Sequence, residues 1–137
     1  CATRAAVEDG IIAGGGIGLC QAAESFTCES DHPDQDMGHM IVRKACYEPF
    51  NAIVRNAGKS PDAIRQSLLH AKDCDGYDAR NDKFVDMFDA GIIDPAKVTL
   101  TALELAASAA GTLLTTECVV GINPEAKEEE KKSQFMM

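Results

Sequence analysis

Aromatic residues and positive charges are scarce in this chain of 137 residues. Trp is absent, there are only two Tyr and five Phe, and 13 basic residues stand against 22 acidic ones, for a formal net charge of −9. A chain this acidic repels phosphate backbones, so nucleic acid is not expected as a partner. Few aromatics and abundant Ala favour packed helices over a β-sandwich.

Long apolar runs and paired cysteine motifs are also missing. No run approaches the roughly 20 residues of a membrane span, so no membrane partner is expected. The N-terminus has no signal-peptide pattern, and no two cysteines have C-x-x-C spacing. These absences predict a cytoplasmic protein whose cysteines are all free thiols. The six cysteines are Cys1, Cys20, Cys28, Cys46, Cys74 and Cys118.

Hydrophobic periodicity predicts a mostly helical domain. Residues 1–8 have the pattern of a helix end, the glycine-rich run at 10–16 breaks that helix, and a second helix follows over about 17–28. Because the chain has no initiator Met and opens inside a helical pattern, it is expected to be a piece of a longer protein.

The middle of the chain predicts two further helical segments with clear boundaries. A helix should begin near Asp34 or Asp36, and Pro49 should kink or break it. Gly58 is a natural stop, and Pro61 after Ser60 is a good restart.

The last third predicts a hairpin, a long helix and a strand. The turn-rich stretch 72–86 indicates a short β-hairpin. Residues 95–116 predict the longest helix of the chain, with Asp94 as its N-cap. Residues 118–120 predict a short final strand, and the mixed charges of 123–137 a flexible tail. The stripe expected to be buried on the long helix is Val98, Ala102, Leu105, Ala109, Thr112 and Leu113.

Two motifs carry possible binding chemistry, and each has a structural alternative. The glycines at 14–16 let backbone N–H groups approach a phosphate, or they form a plain turn between helices. Cys28, His32 and His39 are zinc-ligand types, but their spacing fits no standard site. A core thiol with two loop or surface imidazoles is the alternative, and no metal site is predicted.

A third motif is a group of carboxylates, Asp86, Asp89 and Asp94. Such a group can serve acid–base or Mg²⁺ chemistry. It can equally consist of one capping Asp and two solvated acids, and periodicity does not separate these interpretations.

Longer strings are more specific, because five of them resemble group I chaperonins in the same order along the chain. The resemblance runs from Ala2 to about Val120. The strings are ATRAAVEDGIIAGGG at 2–16, GYDA at 76–79, GIIDPAKVT at 91–99, ALELAASAAG at 102–111 and LTTECVV at 114–120.

The resemblance implies a mainly all-α fold, a multihelical part of a chaperonin equatorial domain with a short β-hairpin and a C-terminal strand. Residues 1–9 would end an intermediate-domain helix. Residues 10–122 would form the C-terminal part of the ATP-binding equatorial domain, and 123–137 the charged tail. The strand at 118–120 would add to the sheet edge of a neighbouring subunit.

The resemblance also implies the function of the full subunit, an ATP-hydrolysing chaperonin that assists protein folding. Identical subunits would form a ring, and a lid co-chaperonin and unfolded proteins would bind through regions outside this chain. The cofactor would be ATP with Mg²⁺, whose ligands also lie elsewhere. This segment would hold no catalytic residue and be inactive alone. The rival hypothesis is a non-catalytic, chaperonin-derived assembly module.

Six positions match the nucleotide contacts of the family. Its members most often have Asn and Ala where this chain has Asp78 and Arg80; Asp78 cannot donate as an amide would, and Arg80 would either stack on the base or crowd it. By this resemblance Gly15 would line the nucleotide, Asp78, Ala79 and Arg80 would lie along the adenine, Ile92 would pack on the base, and Asp94 would accept hydrogen bonds from the ribose.

Overall fold

The helices and strands alternate along the chain with short connections. The structure is a computed structural model that describes residues 2–27, 31–68 and 75–121. It divides into two units, residues 1–102 and 103–137. In chain order the elements are α1 (Ala2–Asp9), β1 (Ile11–Ala13), α2 (Ile17–Ser25), α3 (Pro33–Cys46), α4 (Glu48–Asn56), α5 (Pro61–Leu68), β2 (Asp75–Asp78), β3 (Lys83–Asp86), β4 (Ile93–Pro95) and α6 (Ala96–Leu114). The mainly helical fold class is confirmed.

Proline and glycine set the helix boundaries in the middle of the chain, as predicted. The break at Pro49 separates α3 from α4, because a proline ring cannot continue the hydrogen bonds of the preceding turn. Gly58 ends α4 in a left-handed conformation (φ +74°), and the Lys59 N–H donates to the Val54 carbonyl (3.1 Å). Pro61 then occupies the first position of α5.

A two-stranded antiparallel sheet between β1 and β4 was not predicted. Ile12 pairs with Asp94, and Ala13 pairs with Ile93. The expectation that Asp94 caps the long helix is therefore wrong: Asp94 and Pro95 are strand residues, and α6 begins at Ala96. Strands of three residues are too short to display an alternating pattern, so only the pairing itself reveals them.

The hairpin predicted within 72–86 is confirmed. β2 and β3 pair antiparallel, with Asp78 opposite Lys83 and Tyr77 opposite Phe84. The Tyr77 and Phe84 rings are tilted against each other, with centroids 5.8 Å apart. This cross-strand aromatic contact stabilises the hairpin next to its turn.

A small core holds the first unit together. Its buried members come from five different elements or connections, so each fixes one segment against the others. Full burial of a side chain such as Phe50 contributes about 1.5–3 kcal/mol, which makes this cluster the main stabilising feature. The cluster consists of Ala13, Ile17, Phe50, Val54, Tyr77 and Met87.

The apolar stripe of α6 is exposed, and its predicted burial is wrong for the described chain. Val98 is 52% exposed, Leu105 65% and Leu113 69%. An apolar helix face is buried only where another element packs on it, and periodicity alone does not supply that element. No helix in the described part of the chain is long and apolar enough to cross a membrane.

The predicted C-terminal strand at 118–120 is also absent from the structure. These residues are in the described part of the chain but belong to neither a helix nor a strand. Val119 is 78% exposed and Val120 94%. A strand needs a hydrogen-bonding partner, and a local apolar run does not supply one. The tail at 123–137 lies outside the described residues.

Three cysteines can be compared with the prediction of free thiols. Cys20, Cys46 and Cys118 are free, as predicted, whereas Cys1, Cys28 and Cys74 lie outside the described residues.

Burial, together with the negative charge of Glu24, raises the pKa of the Cys20 thiol to about 11. Cys20 is therefore protonated at neutral pH and poorly nucleophilic.

Two glycine-to-alanine substitutions should change stability in opposite directions. A Cβ at Gly16 would lie 2.7 Å from the Phe50 backbone nitrogen, and its φ of +82° disfavours any side chain. Gly16→Ala should lower the free energy of unfolding by about 1–3 kcal/mol or more. Gly38, in the exposed middle of α3 with open space around it, should instead gain up to about 1 kcal/mol as Ala.

Urea titration of the two variants and the wild type measures both effects. A Gly16→Ala protein as stable as the wild type would show that the turn does not approach Phe50 so closely.

Candidate functional site

The glycine turn between β1 and α2 lies against the segment that leads into β4. The Gly14 N–H donates to the Ile92 carbonyl (2.9 Å). Gly15 is left-handed (φ +63°), and a Cβ there would meet the Met87 methyl at 3.1 Å. The turn is thus held by a backbone hydrogen bond on one side and a buried side chain on the other. The glycines therefore form a turn, here between β1 and α2, and their role towards a phosphate stays a prediction.

Ile92 and Asp94 flank the start of β4 and continue this arrangement. Ile92 is half-buried and packs against the core, and Asp94 pairs through its backbone with Ile12. Within residues 2–27, 31–68 and 75–121, the Asp94 carboxylate accepts no hydrogen bond and forms no ion pair. The sheet therefore fixes the position of a carboxylate whose acceptor capacity is unused.

The hairpin turn after β2 carries the other three predicted contacts. One Asp78 carboxylate oxygen accepts the backbone N–H groups of Arg80 (2.9 Å) and Asn81 (3.2 Å), and the other accepts the Asn81 side-chain amide (2.6 Å). Ala79 packs against the core, and Arg80 is exposed. Asp78 is thus a turn-forming residue whose oxygens are already engaged.

The six predicted residues form two groups that meet at the core. Gly15, Ile92 and Asp94 belong to the β1–β4 sheet and its adjoining turn, and Asp78, Ala79 and Arg80 belong to the hairpin. Met87 links the groups, because it is fully buried, faces Gly15 and also faces Gly76 at the start of the hairpin. In the described chain, no hydrogen bond or ion pair joins Asp94 or Arg80 directly across the groups.

The carboxylate group predicted as one alternative is not assembled. The Asp86 carboxylate accepts the backbone N–H groups of Phe88 (2.9 Å) and Asp89 (3.0 Å), so it shapes a turn. Asp94 is placed separately, in β4. No group of three potential metal ligands lies together among the described residues, and Cys28 of the zinc alternative falls outside them.

Sequence reasoning missed a polar network beside the hairpin turn. The Tyr77 hydroxyl donates to one Asp82 carboxylate oxygen (2.7 Å), and Lys59 pairs with the other (2.7 Å). Lys59 and Asp82 are separated by 23 residues. No local pattern indicates such a contact, although the Tyr–Asp spacing across a four-residue turn was a possible signal.

A pH-dependent difference should separate the wild type from Asp78→Asn. The Asn81 amide, assisted by the Asn81 and Arg80 backbone N–H groups, holds the pKa of the Asp78 carboxyl below its usual range. Such a group stabilises the fold above its unfolded pKa of about 4, and this contribution is lost as the pH falls through the folded value. Asparagine keeps an acceptor for the backbone N–H groups but does not titrate.

Urea titrations at several pH values test this expectation. The free energy of unfolding should fall more steeply for the wild type than for Asp78→Asn between about pH 5 and about pH 2. Parallel pH profiles would contradict the turn-forming role of the ionised carboxylate.

Comparison with known proteins identifies a family and a similar protein. The sequence model of the TCP-1/cpn60 chaperonin family matches residues 1–124. The protein named "Chaperonin homolog Hsp-60, mitochondrial" from Caenorhabditis elegans is 49% identical over 122 residues. The match covers 88% of this chain and 22% of that relative, so the chain spans about a fifth of the relative's length.

These matches correct one expectation and confirm another. The relative is mitochondrial by name, and this finding overturns the expectation of a cytoplasmic protein, which rested on reduced cysteines and the N-terminal pattern. Reduced thiols do not distinguish between these two compartments. The resemblance to group I chaperonins is confirmed, because a family match over residues 1–124 covers most of the chain: it belongs to the TCP-1/cpn60 chaperonin family.

Proposed function

We propose that this chain supplies the adenine and ribose contacts of an ATP-dependent chaperonin subunit that forms rings and assists protein folding. The observation that carries the proposal is the position of Asp94, a carboxylate fixed by a β-sheet and without a protein partner in the described chain. Family membership supports the folding role. The mitochondrial relative supports a mitochondrial location for this chain.

The residues present fit a nucleoside. An ionised carboxylate is a bidentate acceptor for a ribose diol, and the apolar side chains of Ile92 and Ala79 can cover the faces of a purine. Gly15 allows the backbone to come close to the ligand. Asp78 forms the turn that presents Ala79, and the exposed Arg80 side chain is free to stack on the base.

The hydrolysis step belongs to other parts of the subunit. Phosphoryl transfer needs a positioned metal ion, phosphate donors and a group that orients water. The family's Gly-Asp-Gly-Thr-Thr phosphate loop does not occur in these 137 residues. When bound, ATP with Mg²⁺ supplies the reacting phosphate. Residues 10–122 hold its nucleoside end, as the C-terminal part of the equatorial domain, and residues 1–9 end the intermediate-domain helix.

Exposed apolar residues support a role in ring assembly. Met37, Met40 and Ile41 lie on one face of α3 and are each at least 58% exposed. Contiguous apolar surface of this kind marks contacts with other chains. Residues 118–120 have no partner strand in the described chain and are proposed to add to the sheet of a neighbouring subunit. The lid co-chaperonin and unfolded proteins bind elsewhere in the subunit.

Asp94→Asn tests the ribose contact in the full-length subunit. Removing the charge from an acceptor of two hydroxyl groups should weaken ATP binding by about tenfold or more. The wild type should also prefer ATP to 2′-deoxy-ATP, and the variant should lose most of that preference. Isothermal titration calorimetry measures both affinities.

Asp89→Asn is the matched control, because Asp89 is an exposed aspartate close in sequence to which the proposal gives no ligand role. It should leave both affinities unchanged. If Asp94→Asn binds ATP as tightly as the wild type, the ribose role is excluded.

Residues 1–137 alone should hydrolyse no ATP, because they lack the phosphate loop and a catalytic group. Steady-state phosphate release by the purified chain, compared with the full-length subunit, measures this. Turnover on the order of 0.1 s⁻¹, below the usual enzyme range of roughly 1–10³ s⁻¹, would contradict the proposal if Asp94→Ala abolished it.

A further inference from the structure

We propose that Asp82 is a positioning residue for the nucleotide base, which acts by fixing the hairpin turn at Ala79 and Arg80 through Tyr77 and Lys59. This inference rests on the proposed function, since it assumes that the turn faces adenine. Asp82 itself makes no contact with the nucleotide in this proposal.

Both oxygens of the Asp82 carboxylate are engaged, and by groups from different parts of the chain. The Tyr77 hydroxyl donates to Oδ1 at 2.7 Å, and the Lys59 ammonium group donates to Oδ2 at 2.7 Å. The two donors also hold the pKa of the Asp82 carboxyl below its usual range, with Lys59 the larger cause. Asp82 is therefore ionised at neutral pH, and both contacts are charge-assisted.

The two donors are themselves well anchored. The Tyr77 ring is buried in the core at 4% exposure, so its hydroxyl is held from inside the protein. Lys59 directly follows Gly58, and its backbone N–H donates to the Val54 carbonyl at the end of α4. Asp82 thus ties the end of the turn both to the core and to the α4–α5 connection.

The backbone at Asp82 indicates that these contacts determine the shape of the turn. Its φ is +54°, and among the described residues it is the one non-glycine residue with a positive φ. Aspartate tolerates this conformation better than most residues but still adopts it with strain, so surrounding contacts must hold it. The Asp78 side chain fixes the start of the same turn. Ala79 and Arg80 lie between these two fixed ends.

The ion pair between Lys59 and Asp82 is too exposed to contribute much to the global stability of the fold. The Lys59 side chain is 44% exposed and that of Asp82 58%. Ion pairs with this exposure contribute little to folding, because water and salt screen them. An effect on the local geometry of the turn, and therefore on base recognition, is the expected consequence.

Asp82→Gly separates the contacts from the backbone conformation. Glycine adopts a positive φ without strain but has no carboxylate. In the full-length subunit, this variant should bind ATP about three- to tenfold more weakly, as expected for the loss of ordering contacts. Its affinity for inorganic tripolyphosphate, measured by competition, should match that of the wild type, because that probe has no base.

Asp82→Asn and Lys59→Met show whether the two residues act as a pair. Asparagine keeps one acceptor oxygen for Tyr77 and tolerates the backbone conformation, but an amide NH2 replaces the oxygen that faces Lys59, so the contact with Lys59 is lost. Each single variant should lower ATP affinity by a similar factor of about two to five, and the double variant should show no further loss. Asp62→Asn, which breaks another exposed ion pair at 2.7 Å on α5, is the control and should bind ATP normally.

The outcomes are distinguishable. A wild-type subunit that does not bind ATP would overturn the proposed function and this inference with it. Normal ATP binding by Asp82→Gly would overturn the inference alone. Equal losses of ATP and tripolyphosphate affinity, with a lowered melting temperature, would also overturn it, because they would show a general structural role. Selective loss of ATP affinity with an unchanged melting temperature supports the positioning role.

Discussion

The buried side chain of Met87 is the contact on which the candidate site depends. It is fully buried, and it faces both Gly15 in the turn before α2 and Gly76 at the start of the hairpin. A Cβ at Gly76 would lie 2.5 Å from the Met87 sulfur, so the missing side chain is what lets the hairpin approach. Methionine suits such a position, because its flexible thioether fills irregular space. Both groups of candidate residues therefore pack against this side chain, within the core that holds the first unit together.

The first unit combines a firm apolar centre with polar contacts at its surface. Phe50, Val54 and Tyr77 set the positions of α4 and the hairpin through burial. The hydrophobic effect that drives this burial is the largest favourable contribution to folding, and it has no preferred direction. The polar contacts are directional but screened by water. The Glu8 carboxylate, for example, accepts hydrogen bonds from Lys97 and Arg4. Both donors lower the pKa of Glu8, and Lys97 has the larger effect. Such contacts orient segments that the core has already brought together.

Exposed apolar surface is the other notable property of the chain. The faces of α3 and α6 and the residues at 118–120 leave large aliphatic side chains in contact with water. A chain that spans 22% of the length of its chaperonin relative has few elements of its own to cover them. The proposed ring assembly would account for this surface, since neighbouring chains can bury it.

Local signals in the sequence determined the helices and the hairpin. Pro49, Gly58 and Pro61 act within one helical turn, through a missing N–H or a left-handed backbone, so their effects were predictable from their positions. The order of longer strings determined the family, and the comparisons confirmed it. The positions of the six candidate contacts along the chain came from the same resemblance.

Only the tertiary structure decided which of these segments meet. The β1–β4 sheet joins residues about 80 apart in the sequence, so Asp94 became a strand residue although its neighbours Pro95 and Ala96 suit a helix start. The pairing of Lys59 with Asp82 and the burial of Met87 against two glycines likewise require distant segments to come together. The exposed stripe of α6 shows the converse, because periodicity identifies an apolar face but does not supply the surface that buries it. The sequence by itself determined the elements and the family, and long-range contacts decided the geometry of the site.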